Sequence, residues 1–347
     1  ERPTRNASGV TNDRIGCVLV FIDTDIGVTG ESFLFTQGGR RIEVLEAMVA
    51  SLKPAILGED IRYAERVWDR LWRELYFLGH KGVTIFGLAA IDTALWDAKG
   101  KALGQSVTHL LGAARDRVPV YCSAGLWLSA TPDELATEAA GYAAQGFRGV
   151  KMRVGKAHVD EDVERVAAVR QAIGPRMSLM CDASRGFTAD HAIRLGRKLE
   201  AFDLAWFEEP VVPYDHRGSA RVAAALDTPI ASGETEATRY GFREMLAAGA
   251  ADIWMADLAR VGGVSEFIKV AHLAAAHDIA ISNHLFTEQS IGLLGAFANA
   301  TWLEFMPWTA MLYREGIVIE DGHVAVPDRP GLGFTFDPDA VDRHRVR

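Results

Sequence analysis

Apolar and polar positions follow two different rhythms along the 347-residue chain. In the first, "IGCVLVFIDTDIGVTGES" alternates at Val18, Val20 and Ile22 ahead of a turn built on Gly27 and Gly30, the pattern of a strand entering a turn. Apolar residues then recur every three or four positions in "RRIEVLEAMVASLKPAIL" and "FGLAAIDTALWDAKGKAL", with Gly104 placed as a C-cap, which predicts two helices. Antiparallel strands followed by helices make residues 1–115 an α+β unit. From Val118 the rhythm changes to short, continuous apolar runs: "VPVYCSA", "GVKMRV", "SLMCDA", "AWFEEP", "PIASGE", "IWMADL", "IAISNH" and "TWLEF". Amphipathic segments separate them, such as "TPDELATEAAGYAAQG" with Thr131 as N-cap, Pro132 in the first turn and Gly146 at its end, and "DEDVERVAAVRQAIGP", stopped by Gly174 and Pro175. Continuous apolar strands alternating with helices predict a parallel sheet covered by helices, here closed into a barrel over residues 116–318. The rival, an open doubly wound sheet, would usually carry a glycine-rich phosphate turn after an early strand, and none is seen. Residues 319–347, opening with "IEDGHVAVPDRPGLGF", read as a hairpin and a tail returning to the N-terminal unit.

Composition narrows the function. With a formal charge of -9 and no dense Lys/Arg stretch, the electrostatic footprint of a nucleic-acid binder is missing. No apolar run is long enough to predict a membrane span, and no signal peptide pattern opens the chain. It begins at Glu1, so N-terminal residues are expected to be missing. Cys17, Cys122 and Cys181 are scattered in apolar contexts, which predicts neither a disulfide framework nor a zinc cluster and makes a reducing cytoplasm the default.

The chemistry is expected at the C-terminal ends of the barrel strands, where side chains from different strands converge. Lys151 and Arg153 end the second run, Asp182 the third, Glu208 and Glu209 the fourth, Glu234 the fifth, Asp257 the sixth, His284 the seventh and Glu304 the eighth. Any one of them alone would read as a helix cap or a surface charge. Asp182, Glu208 and Glu234 lie on neighbouring strands, and three anions sharing a site need compensation. An all-oxygen donor set selects Mg2+, or Mn2+, over zinc. Alternation in "FEEP" points Glu208 inward and Glu209 outward, to a helix or a cation. Lys151 and Arg153, two apart, share a face. Asp257 and His284 end adjacent strands, so Asp257 can accept the Nδ1 proton and present Nε2 as acid or base. A glycosidase would need only two carboxylates and leave the third acid and the lysine idle.

These residues resemble those of the enolase superfamily, in its mandelate racemase-like subgroup. The match spans nearly the whole chain, including "TGESFLF", "GLAAIDTALWDAKGKALG", "DLARVGGVSEF" and "SNHLFTE". The resemblance implies a TIM-type (β/α)7β barrel with a capping domain. It also implies abstraction of the proton alpha to a carboxylate, giving an enediolate chelated by Mg2+, with Asp182, Glu208 and Glu234 as ligands. Glu304 would be protonated, its pKa raised, donating to the substrate carboxylate. The loop at 75–84 would cover the barrel mouth, with Tyr76, Phe77 and His80 as candidates for substrate contact or for packing within the cap. A homo-oligomer is implied, eight subunits being common. Two positions depart from the pattern. Arg153 stands where racemases of this subgroup have a second lysine, and a guanidinium is a poor base, which favours dehydration of a sugar acid, an aldonate or aldarate, over two-base racemisation. Ser184 stands where an asparagine is usual. Arg185 beside it reads as solvent-exposed, with contact to a distal substrate group as the alternative. A racemase, epimerase or cycloisomerase is the second enzymatic reading, and a barrel kept as a binding or structural protein the non-enzymatic one.

Overall fold

The computed structural model describes residues 14–346 and the backbone of two short paired strands, β1 (Thr4–Arg5) and β2 (Thr11–Asn12). The capping unit is built on the antiparallel hairpin of β3 (Ile15–Asp23) and β4 (Thr29–Gln37), in register from Ile15 opposite Gln37 to Asp23 opposite Thr29. Four helices follow: α1 (Ile42–Ile56), α2 (Ala64–Glu74), α3 (Val83–Leu103) and α4 (Val107–Leu110). Of these α2 is not predicted above, although its buried Val67, Trp68 and Leu71 keep helical spacing. Helix α3 ends at Gly104, whose left-handed φ of 63° lets its N–H cap the Gly100 and Lys101 carbonyls. It lies so close to the hairpin that a Cβ on Gly30 would meet the Ala94 carbonyl oxygen at 2.0 Å.

Eight parallel strands form the sheet that follows among the described residues: β5 (Arg117–Cys122), β6 (Gly149–Arg153), β7 (Ser178–Asp182), β8 (Leu204–Glu208), β9 (Ile230–Ser232), β10 (Ile253–Asp257), β11 (Ala280–His284) and β12 (Leu303–Phe305). Each pairs with the next in chain order from β5 to β11, and β12 returns to β5 with Glu304 opposite Tyr121. A parallel bridge of Ile281 with Ala300 closes the last gap. Between the strands run α5 (Pro132–Ala144), α6 (Val159–Ile173), α7 (Ala189–Leu199), α8 (His216–Ala223), α9 (Thr238–Ala248), the pair α10 (Leu258–Val261) and α11 (Val264–Ala275), and α12 (Thr287–Ala296). The expected (β/α)7β barrel is therefore the fold, and the eight apolar runs are its strands to within a few residues. Helix α5 opens as its sequence predicts, with a capping box between Thr131 and Glu134 and Pro132 in the first turn. After the barrel, the hairpin β13 (Ile319–Glu320) and β14 (His323–Ala325) pairs antiparallel with β5, and α13 (Pro338–His344) ends the chain. Among the described residues no helix is long and apolar enough to cross a membrane.

Strand alternation sorts the "AWFE" run. Trp206 points into the barrel, packing with Tyr121, Met180 and Met255 as a floor beneath the mouth, while Phe207 joins the core between strands and helices. Two acids of α3 tie the cap to the rest. The Asp92 carboxylate accepts from the Ser265 N–H (2.8 Å) and hydroxyl (2.6 Å) on α11. Asp97 accepts from the N–H groups of Glu31 (2.9 Å) and Leu332 (2.8 Å), joining hairpin, helix and tail.

Glu288, in the first turn of α12, is 1% exposed; its Oε2 accepts from the Thr309 hydroxyl at 3.2 Å, while Oε1 has no hydrogen-bond partner among the described residues. Burial lifts its pKa from 4.5 to about 7. A carboxyl that holds its proton more tightly in the folded protein contributes stability below its unfolded pKa and loses it as pH rises through the folded one, here between 4.5 and about 7. Glu288→Gln is therefore expected to match the native protein in denaturant stability only below pH 4.5. At pH 8 it should exceed it by roughly 1–3 kcal/mol. Equal stabilities at pH 8 would contradict this.

Candidate active site

Strand register carries most of the site. Arg153, Asp182 and Glu208 lie side by side at the ends of β6, β7 and β8, and Asp257 lies opposite His284 on β10 and β11. Glu234 follows two residues after β9, past Gly233, whose φ is 122°. All of these are buried to within 9% exposure, as are Lys151 and Glu304.

Lys151, fully enclosed above the Tyr121 ring, bridges Glu208 Oε1 at 2.5 Å and Glu304 Oε1 at 2.9 Å. Burial alone would lower its pKa, but the carboxylates of Glu208 and Glu304 reverse this and hold it well above the ordinary value. The expectation that Glu304 has a raised pKa is corrected here. Burial pushes it up, yet the Lys151 ammonium, His284 and the Leu285 N–H at 2.6 Å outweigh that and set it at about 2. In this arrangement Glu304 accepts from the Lys151 ammonium and the Leu285 N–H.

Arg153 is held from behind. One guanidinium nitrogen donates to the Ser123 and Gly125 carbonyls at 2.7 and 3.1 Å, the other to the Ser123 hydroxyl at 2.9 Å, and Trp127 stacks on it at 4.2 Å. Its Nε reaches toward Asp182 at 3.6 Å. Asp257 Oδ1 caps α10 through the N–H groups of Ala259 and Arg260, which aims Oδ2 at His284 Nδ1, 2.7 Å away. Nε2 is thereby presented to the mouth, 3.3 Å from Glu234 Oε2. Burial would depress the imidazole, but Glu234 and Asp257 raise its pKa.

Glu209 is 2% exposed. It leaves β8 with a φ of 39° and turns to a cation, Arg185, at 3.5 Å, and to the Ser232 hydroxyl. Burial, then Glu234, lifts its pKa to about 8. Arg185 is half-buried rather than solvent-exposed, bridging Glu209 and Glu234 at 3.5 Å each, because Ser184 and Arg185 both adopt left-handed φ values of 45° and 66° that fold the loop inward. Ser184 bonds Asp182 Oδ1 through its N–H and hydroxyl at 2.6 and 3.1 Å.

Tyr76 and His80 do not reach the mouth. Tyr76 and Phe77 are 73% and 86% exposed, and His80 stacks on Trp72 at 3.5 Å with Nε2 2.8 Å from the Trp72 carbonyl oxygen. The cover over the mouth comes instead from β4. Phe33 and Phe35 pack on Phe286, Phe35 also on Trp308, and Gln37 at the strand end lines the pocket with Trp127, Met306 and Trp308. Of these four only Gln37 is a strand-end polar residue, and its strand belongs to the cap rather than to the barrel. Only "TGESFLF", already notable in the sequence, pointed toward β4.

Among the described residues no three His, Cys, Asp or Glu side chains stand as a closed group that could hold a metal ion. The carboxylates are turned to Lys151, Arg153, Arg185, Arg260 and His284. Their charge nevertheless fits a divalent cation. By formal charge, six acids (Asp182, Glu208, Glu209, Glu234, Asp257, Glu304) exceed four permanent cations (Lys151, Arg153, Arg185, Arg260) by two in a buried site, and the raised pKa of Glu209 is one response to that excess. Glu208 shows the strain: burial and, against Lys151, its acidic neighbours lift its pKa to about 7. Oxygen donors from three successive strand ends suit a hard ion such as Mg2+.

Residues 1–112 match the family described as mandelate racemase / muconate lactonizing enzyme, N-terminal domain, and residues 134–340 match the enolase C-terminal domain-like family. The chain is 35% identical to the L-talarate/galactarate dehydratase of Salmonella typhimurium, over 94% of this chain and 82% of that one. It is 32% identical to the arabinonate dehydratase of Saccharolobus solfataricus, over 100% and 95%. A racemase from Streptomyces coelicolor, solved with bound magnesium, superposes with a TM-score of 0.94 at 33% identity, over 99% of this chain and 95% of that one.

Proposed function

Because the chain belongs to the mandelate racemase / muconate lactonizing enzyme family of the enolase superfamily, we propose that it dehydrates a sugar acid to a 2-keto-3-deoxy acid, with Mg2+ as its metal. The observation that carries this is the pairing of one oriented imidazole, His284 on Asp257, with an immobilised guanidinium, Arg153, where a second base would otherwise stand.

Asp182, Glu208 and Glu234 would hold the ion, which when bound supplies positive charge to an acid whose α proton is otherwise far too weak to remove. Lys151 and Arg153 hold the substrate carboxylate and offset the second negative charge as the enediolate forms. His284 Nε2 takes the α proton and returns it to the departing C3 hydroxyl, which leaves as water; the resulting enol tautomerises to the 2-keto acid. Glu304 keeps Lys151 in place, and Ser184 does the same for Asp182.

Incubating aldonates and aldarates with Mg2+ in deuterium oxide tests the reading. A dehydratase yields 2-keto acid. Deuterated but intact acid instead would establish the second reading, an isomerase, which the likeness to the Streptomyces coelicolor racemase supports. A cytoplasmic homo-oligomer is part of the proposal. Its support is that all three cysteines are unpaired and that Phe21, Ile26, Leu57 and Leu103 form an exposed apolar rim on the cap.

A further inference from the structure

We infer that the buried pair Asp162 and Arg165 on α6 is a positioning device for the pocket: it fixes the backbone under Arg153 and Trp127 and so places the Arg153 guanidinium. This rests on the reading above in which Arg153 holds the substrate carboxylate.

The two side chains are 0% and 2% exposed. Their hydrogen bonds run to backbone at the edge of the pocket. Arg165 Nη1 donates to the Arg153 carbonyl and to Asp162 Oδ1, both at 2.9 Å, and Nη2 donates to the Trp127 carbonyl at 3.1 Å. Asp162 Oδ2 accepts from the Gly155 and Lys156 N–H groups, both at 2.8 Å, just past the end of β6. Arg153 and Trp127 both line the pocket, the guanidinium over the indole ring at 4.2 Å. One fork of nitrogens thus joins the end of β6 to the loop between β5 and α5. That same loop supplies the Ser123 and Gly125 oxygens that aim Arg153.

The loop does not take this shape by itself. Leu126 has a left-handed φ of 54°, which is costly for a residue with a bulky side chain. Its carbonyl accepts from the Arg153 N–H at 3.0 Å, and its N–H donates to Glu138 Oε2 at 3.1 Å. Strain of this kind persists only where surrounding contacts impose it. Stability is not a sufficient reason for the pair, because two charges withdrawn from water add little over well-packed apolar side chains of similar volume. What a planar guanidinium adds is geometry, holding two carbonyls and a carboxylate in one arrangement. Groups that touch a reacting substrate must be held to within about 0.5 Å, and the pair meets that demand for Arg153.

Two variants test this. Asp162→Asn/Arg165→Met removes both charges and the fork, and Arg165→Lys keeps the charge but has one nitrogen where two are needed. Crystal structures of the Mg2+-loaded variants should show the Arg153 guanidinium displaced by about 1 Å or more from the Ser123 carbonyl and hydroxyl. With the sugar acid that the native protein turns over, KM should rise and kcat fall, each by about tenfold. Added to Arg153→Lys, either variant should cost less than about twofold more, since the pair acts through Arg153. A role in stability alone would instead lower the folded fraction, leave KM unchanged and add its whole loss to that of Arg153→Lys. The inference is overturned by that result, or by an Arg153 that keeps its place in Arg165→Lys. Displacement of Arg153 with native KM and kcat would leave the inference standing and remove Arg153 from the substrate site. If the native protein turns over no sugar acid, the reading above fails and the position of Arg153 in the variants decides the inference by itself. Arg165→Lys carries the test if the double variant does not fold.

Discussion

Replacing His284 by asparagine is expected to lower turnover by about 10³-fold or more while leaving the barrel folded and able to bind Mg2+. The size follows from one group serving two proton transfers, first from carbon and then to the leaving hydroxyl, with no second base across the pocket. The second cation of the β6 pair is Arg153, whose guanidinium stays protonated and is fixed in place by Ser123 and Gly125. Asparagine removes the Nε2 atom altogether. The structural cost should stay near 1–3 kcal/mol, since Asp257 keeps the Ala259 and Arg260 N–H groups on its other oxygen. Circular dichroism and calorimetric Mg2+ titration check the fold and the metal site, and solvent deuterium exchange at the α carbon checks the chemistry. Exchange at the native rate in the variant would remove His284 from the mechanism.

Glu208→Gln should weaken Mg2+ binding by about 100-fold or more and lower turnover at fixed Mg2+ in proportion. Glu208 is fully buried, with one oxygen on Lys151 and the other accepting from the Trp206 indole N–H at 2.9 Å. The amide has nearly the same shape, so packing is conserved while one negative charge is lost from a site whose excess is two. The lost activity is expected to return in part at high Mg2+. Unchanged affinity and full turnover would mean that the ion, if needed, is held elsewhere.

Much of the site was readable before any coordinates because strand-end chemistry is a local property. An apolar run of five or six residues defines a buried strand, and its last polar residue must face the mouth or a cap. Lys151, Arg153, Asp182, Glu208, Asp257, His284 and Glu304 all came from that rule, and they are gathered as it requires. The same locality made Thr131, Pro132 and Gly104 legible as helix boundaries.

What stayed hidden depended on segments far apart in the chain. Gln37 reaches the pocket only because β4 packs on Phe286 and Trp308, some 250 residues later in sequence. Arg185 turns inward through two left-handed residues whose cost only the surrounding packing sustains, and Tyr76 points to solvent because His80 is drawn onto Trp72. The lowered pKa of Glu304 turns on a lysine that stands two strands and 153 positions away around the barrel, at 2.9 Å. The kind of chemistry and its scaffold were thus written in short-range periodicity, which each strand and helix satisfies alone. Which residues close the pocket above the strand ends is decided where cap and barrel meet, since no local pattern encodes which distant surfaces will exclude water together.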